Sequence, residues 1–448
     1  MAQAASGKAQ TLPKKVRKHL SADALYSLLR SSFARVSDRR SGDLFSLPDA
    51  CLSGFALFSL KDPSLLAFDG RRNDANLKRV FGIERVPSDT QMREILDQVD
   101  PLELRPAFND VFRELQRGKV LEHLVFHDEC YLLCLDGTGY FSSQKIHCPS
   151  CLQKVNSTTG EITYSHQMLG AAIVHPDHRE VIPLAPEPII NEDGHKKNDC
   201  ERNAARRLLE RIRLEHPHLG LIVVEDGLAS NAPHIRDLKR LGMHFLLGAK
   251  PGDHAFLFDG LIDVLDRNEE QTIQWQEGDR LCEILFVHGL QLNQSNPDVI
   301  VNYLQYTEYG PDGQEQKRFG WVTDLHISKR NAKHLVRGGR ARWRIENETF
   351  NTLKNQGYHF EHNFGHGKHH LSVVFAMLMM LAFLVDQVQQ ICCPLFRATW
   401  EKFGTKRSLW ENLRSHFQHF NFESMRHIYE VMLHDLAKNV PAPKLDSS

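Results

Sequence analysis

Three short, unbroken apolar runs set the first limit on what this chain can fold into. Tyr131-Leu132-Leu133-Cys134-Leu135, Leu221-Ile222-Val223-Val224 and His244-Phe245-Leu246-Leu247 lack the polar alternation of a strand with one wet face. They read as strands buried on both sides. An amphipathic helical pattern opens at Asp199 and runs through Leu208, Leu209 and Ile212 before the second run, and another helix precedes the third. Strands alternating with helices predict an α/β core. Met168 to Val174 and Val181 to Leu184 are further strand candidates.

A chain of 448 residues exceeds one ordinary core, so two or three domains are expected. Residues 1–19 form a basic, mobile arm carrying Lys8, Lys14, Lys15, Arg17 and Lys18; such a run is a solvated tail or a DNA contact. Residues 20–122 are helical in pattern: Ser88-Asp89-Thr90 caps one helix, and Pro101 starts another after Asp100. The α/β core occupies 123–250 and resumes at 320–390. Between them, 251–319 reads as a β-rich insertion, with strands at Thr272–Gln276, Leu281–Val287 and Val299–Tyr306 and a turn at Pro311-Asp312-Gly313. A helical region, 391–448, ends the chain.

The longest apolar run, Leu371 to Val385, falls short of the ~20 residues that span a bilayer, and a buried helix is the expectation. Nine cysteines, odd in number and mostly scattered, do not suit a secreted disulfide framework. A cytoplasmic protein is expected. The net charge of −1 excludes no nucleic-acid function, since such an enzyme need be basic only where it meets phosphates.

Asp136 and Asp226 occupy equivalent places. Each ends an apolar strand and precedes a glycine, where open α/β sheets collect their ligands. Asp-Gly is also an ordinary turn pair. A third carboxylate comes from the helical segment Arg342 to Lys354. At roughly 100° per residue, Glu346 falls within the apolar arc of Ile345, Leu353, Phe350 and Trp343, while Glu348 falls on the opposite side. An inward glutamate needs a cation, either Arg342 at i, i+4 or a metal. Three carboxylates from separate segments suit Mg²⁺, a hard ion held by a few carboxylates, water and substrate phosphate. Between Trp321 and His370 nine Lys and Arg face four Asp and Glu. That is either a solvated face or a cationic surface for phosphodiesters, with Arg340, Arg342, Arg344 and Lys354 as DNA contacts.

Cys148-Pro149-Ser150-Cys151 is a lone C-x2-C pair. A structural zinc would need two more ligands, with His147, His166 and Cys200 as candidates. The group His359, His362, His366, His369 and His370 has no clean ligand spacing.

Together these segments resemble the DDE transposases of bacterial insertion sequences, in the insertion-sequence-four branch. Arg342-Trp343-Arg344-Ile345-Glu346 is similar to the Arg-x3-Glu part of that branch's Tyr-x2-Arg-x3-Glu-x6-Lys signature, and Phe350 with Leu353-Lys354 to its continuation. Gly339 stands at the tyrosine position, and seven residues rather than six separate Glu346 from Lys354. Leu135-Asp136-Gly137-Thr138 and Val224-Glu225-Asp226-Gly227 resemble the two aspartate strands, and 251–319 lies where the branch carries its β-strand insertion. The resemblance implies an RNase H-like mixed-sheet core, with Asp136, Asp226 and Glu346 as catalytic metal ligands and Glu348 in reserve. It implies Mg²⁺, with Mn²⁺ as substitute. It also implies cleavage and strand transfer at transposon terminal inverted repeats and target DNA, by a homodimer whose 20–122 domain binds DNA. A nuclease without transposition and a domesticated DNA-binding relative are the alternatives.

Overall fold

The computed structural model describes residues 17–40, 44–191 and 199–434. Lys8, Lys14 and Lys15 of the expected basic arm lie outside these residues, as does the end of the C-terminal region. Arg17 donates through its guanidinium to the Arg117 carbonyl at 3.2 Å.

The α/β expectation is met by one mixed sheet. Its strands are β1 (Val125–His127), β2 (Cys130–Ser143), β3 (Leu152–Val155), β4 (Ile162–Val174), β5 (Ile182–Pro183), β6 (Glu187–Ile189), β7 (Leu221–Glu225), β8 (His244–Gly248), β9 (Gln271–Glu277), β10 (Arg280–Gln291), β11 (Ile300–Tyr309) and β12 (Glu315–Thr323). The order is β3-β4-β2-β7-β8-β12-β11-β10-β9, with β1 on β2 and the short β5 and β6 on β4. The three apolar runs are β2, β7 and β8, paired in parallel. All five residues of β7 are buried, as a central parallel strand requires. The Glu201–Glu215 helix leads into β7, burying Ala204, Leu208, Leu209 and Ile212. The Ala232–Arg240 helix joins β7 to β8.

One departure from the sequence reading bears on the site. Asp136 does not end its strand: β2 runs on to Ser143, laddered antiparallel to β4 from Leu132↔Val174 to Ser143↔Tyr164. The polar second half of β2 is held by those backbone hydrogen bonds rather than by apolar burial, so side-chain pattern could not show it. The strands of the 251–319 block, expected as a β-rich insertion, extend the same sheet. After the Ala255–Asp266 helix, β9 to β12 follow as antiparallel neighbours, and β12 pairs with β8 through Trp321↔Gly248 and Thr323↔Leu246. The first half of β12 is exposed and charged, which hid it from a search for apolar runs.

The Leu371–Cys392 helix is long and apolar enough to cross a membrane, yet all 22 of its residues are buried. It forms the axis of a helical body, packing on the Leu47–Ser59 helix. N-terminal and C-terminal helices meet around it. Asn76 donates to the Phe417 and Phe420 carbonyls at 2.9 and 2.8 Å, and Phe81 lies 6.0 Å from Phe417. The two helical regions expected at opposite ends of the chain therefore share one core. Asp97 closes the start of the axial helix, accepting from the N–H groups of Lys368, His369, His370 and Leu371 at 2.8, 3.0, 3.0 and 3.0 Å. Of these, the N–H of Leu371 belongs to the first turn, whose donors a helix leaves unpaired, and the others lead into it.

Candidate active site

The last parallel pair between β2 and β7 is Cys134↔Val224. Asp136 and Asp226 each stand two residues further on, where β7 has ended and β2 continues. Both line one cleft of about 820 Å³, together with Glu201, Arg202, Arg206 and Glu225. Asp226 is in a turn as well, its Oδ1 accepting from the Leu228 N–H at 3.0 Å. The turn and the ligand reading thus coexist at this aspartate, whereas Asp136-Gly137 is strand and not turn. Beside them, Glu225 accepts from His234 Nε2 at 2.6 Å. Burial disfavours the charged imidazole, but Glu225 outweighs it and raises the His234 pKa.

Glu346 belongs to a wide π-helical turn, Ile345–Phe350, between the Ala332–Arg340 helix and the Asn351–Asn355 helix. That turn corrects the helical-face argument, which assumed α-helical spacing. Ile345, Thr349, Phe350 and Leu353 face the core, but Trp343 is 49% exposed and Glu346 is exposed rather than inside the apolar arc. Such bulges concentrate at functional sites, because they re-aim side chains out of the regular spacing. The Phe350 ring seats the turn. It lies so close to Gly170, the residue paired with Asp136, that a Cβ there would sit 2.7 Å from Phe350 Cζ. The turn that carries Glu346 is thereby seated beside the strand pair that holds Asp136. Glu348 turns away to Arg344, at 3.3 Å, and Arg344 also donates to the Pro176 carbonyl at 3.1 Å.

Glu346 is one of the charges that act on Asp136. Burial pushes the Asp136 pKa up to about 6, with Glu346, Glu201 and Asp226 adding to the rise and Arg342 opposing it. Arg342 Nη1 lies 3.8 Å from Asp136 Oδ1. Glu201 is a fourth carboxylate that the sequence reading missed. Its Oε1 is 2.2 Å from where a Cβ on Gly137 would be, and burial, Asp226 and Glu225 raise its pKa. It opens a helix, where acidic residues are favoured by the helix dipole in any case, so its position carried no signal. The carboxylates are gathered loosely. Among the described residues, only a Cys/His group brings three or more ligand atoms within 4.8 Å of one another.

The crowding has a measurable consequence. An acid whose pKa rises on folding binds more protons folded than unfolded, so it removes stability as pH climbs from about 4 to about 6. Asp136→Asn should therefore melt at a higher temperature than wild type at pH 7.5 without added divalent metal. The gain should vanish below about pH 4. A variant that melts lower than wild type at pH 7.5 would contradict this account.

Of the four cations singled out from sequence, only Arg342 faces the carboxylates. Arg340 lies 3.7 Å from Glu308 and over the rings of Tyr306 and Phe319, Arg344 is held by Glu348, and Lys354 pairs with Glu361 at 3.0 Å. Arg202 and Arg206, which the sequence reading passed over, line the cleft.

The cysteine reading is corrected in one ligand. Cys148, Cys151 and His166 converge, and the fourth member is His366. His147 is exposed and stacks on Tyr164 at 4.3 Å between ring centroids. Cys200 is exposed and lines the carboxylate cleft.

Comparison with curated proteins finds no match. A family model described as a transposase DDE domain matches residues 156–384, just over half of the chain. The matched stretch contains Asp226 and Glu346 and begins after Asp136. The mixed sheet with helical regions before and after it is consistent with the RNase H-like core of such a transposase, and by this match the chain belongs to the DDE transposase-domain family.

Proposed function

We propose that this protein is an insertion-sequence transposase that cuts and joins DNA, with Asp136, Asp226 and Glu346 as its catalytic carboxylates. What supports the reading is that Asp136 and Asp226 follow adjacent parallel strands at matching positions and line one cleft, and that Glu346 is among the charges that raise the Asp136 pKa. The donor set fits a hard divalent cation, because these groups offer only carboxylate oxygen and Asp136 is held in an environment that disfavours its charge. When bound, Mg²⁺ or Mn²⁺ supplies activation of the attacking oxygen and stabilisation of the leaving oxygen in an in-line displacement.

The chain's own residues do the rest. Arg342 offsets the charge of Asp136 and lies ready to pair with a phosphate. Arg202 and Arg206 put positive charge on the wall of an open cleft, where a DNA backbone can be held. Arg206, with Asp237 at 3.5 Å, and Arg340, Arg344 and Lys354 already have protein partners, so their use by DNA requires exchanging one charged partner for another. The 20–122 helices are assigned to binding the terminal inverted repeats. A homodimer in the bacterial cytoplasm holds two ends and target DNA together.

The test is cleavage of an end-bearing duplex with Mg²⁺ or Mn²⁺ by wild type, Glu346→Gln and Glu348→Gln. Glu346→Gln should lose activity, while Glu348→Gln should retain it within about tenfold, the loss of one neutralised surface pair. Activity lost only in the Glu348 variant would move the third ligand. No cleavage by wild type, on DNA it binds, would leave a DNA-binding relative.

A further inference from the structure

We propose that Cys148, Cys151, His166 and His366 form a structural zinc site, separate from the carboxylate cleft. Cys148 Sγ and Cys151 Sγ are 3.7 Å apart, and His166 Nε2 lies 3.2 Å from the first and 3.4 Å from the second. A tetrahedral zinc with Zn–S near 2.3 Å and Zn–N near 2.05 Å needs S···S of about 3.8 Å and S···N of about 3.5 Å. The protein already has that spacing. His366 completes the set, with all four ligand atoms within 4.8 Å of one another.

The decisive feature is an unmet need. His366 is 9% exposed, and neither of its ring nitrogens has a hydrogen-bond partner. A buried imidazole left in that condition is costly. A zinc bond at one nitrogen removes the larger part of that cost. The backbone is shaped to bring the ring in, since Gly365 and Gly367 on either side both have positive φ, 145° and 64°, which favours glycine. Aromatic rings enclose the group: Tyr140 stacks on His166 at 5.7 Å, and Phe141 meets His366 edge-on at 4.0 Å. Four protein ligands leave no open position, which is the pattern of a structural and not a catalytic zinc.

The site ties together three segments, one of them distant in sequence. Cys148 and Cys151 flank the turn that leads into β3, His166 is on β4, and His366 is on the loop between the Glu346 segment and the axial helix. Zinc here fixes that loop to the far half of the β2–β4 ladder. A C-x2-C pair alone gave no such site from sequence, because the fourth ligand lies 215 residues away from Cys151 and becomes a neighbour only in the fold.

The full-length chain, purified under reducing conditions without chelator, should carry one zinc by mass spectrometry of its metal content. Stripped and reloaded with Co²⁺, it should show tetrahedral cobalt absorption with a thiolate charge-transfer band. His366→Ala and Cys151→Ala should weaken zinc binding by more than the roughly 10–100-fold that loss of an outer-shell partner costs. His147→Ala and Cys200→Ala should leave it unchanged. Wild type without zinc and without the cobalt spectrum, or His366→Ala binding zinc as tightly as wild type, overturns the proposal. The wild-type measurement stands even where a variant fails to fold, and none of these readouts depends on DNA cleavage.

Discussion

Asp226→Ala is expected to lower DNA cleavage by about 1,000-fold or more, and Asp136→Ala to do the same. Each removes a proposed metal ligand at the point where β7 ends beside β2. A bound divalent ion supplies several kcal/mol of transition-state stabilisation, and about 1.4 kcal/mol corresponds to each factor of ten in rate. Affinity for the same end-bearing DNA should stay within about threefold, because affinity comes from cations meeting phosphates and not from carboxylates. Removing a negative charge from the cleft can only favour the phosphate backbone. The measurement pairs single-turnover cleavage in Mg²⁺ with binding in its absence. Cleavage by either variant at near the wild-type rate would falsify the carboxylate assignment. Equal losses of binding and cleavage would show that the substitution had damaged the fold instead.

The second large effect concerns stability. Lys61 is fully buried in the helical body, its Nζ paired with Asp386 of the axial helix, whose side chain is 7% exposed. The ammonium also donates to the Ser59 carbonyl at 3.0 Å and lies 4.0 and 4.7 Å from the ring centroids of Trp410 and Tyr358. Tyr358 donates its hydroxyl to the same Asp386 carboxylate. Burial pulls the Lys61 pKa down against the attraction of Asp386. Asp386→Ala would leave a buried cation and a buried hydroxyl without their acceptor, a loss of roughly 3–5 kcal/mol. Denaturant unfolding should show this as an early transition of the helical body. Because the penalty is that of an orphaned charge, Asp386→Leu combined with Lys61→Met should recover most of it. A single Asp386→Ala variant as stable as wild type would mean that water reaches Lys61 freely.

By itself the sequence determined the elements whose stability is local or whose burial is complete. β2, β7 and β8 appeared as apolar runs because a central parallel strand is covered on both faces. The Ser88 cap was legible because Ser88-Asp89-Thr90 offers cap residues ahead of a helical segment, and the structure adds Gln91, whose side chain closes a capping box with Ser88. The axial helix appeared as a buried helix because its apolar run had no polar face. Asp136 and Asp226 were picked out because each follows an apolar run and precedes a glycine, where open α/β sheets collect their ligands.

Only the tertiary structure decided what depends on chain segments meeting. The length of β2 rests on its ladder with β4, and the place of β12 rests on its pairing with β8, so neither is encoded in side-chain alternation. The π turn that carries Glu346, with Phe350 seated on Gly170, is a local departure that α-helical spacing could not anticipate. Glu201 joined the carboxylates because its helix start packs over Gly137, and His366 displaced His147 because a loop folds back from far along the chain. In each case the deciding contact is long-range, and its stabilisation comes from burial or pairing that no local stretch of sequence contains.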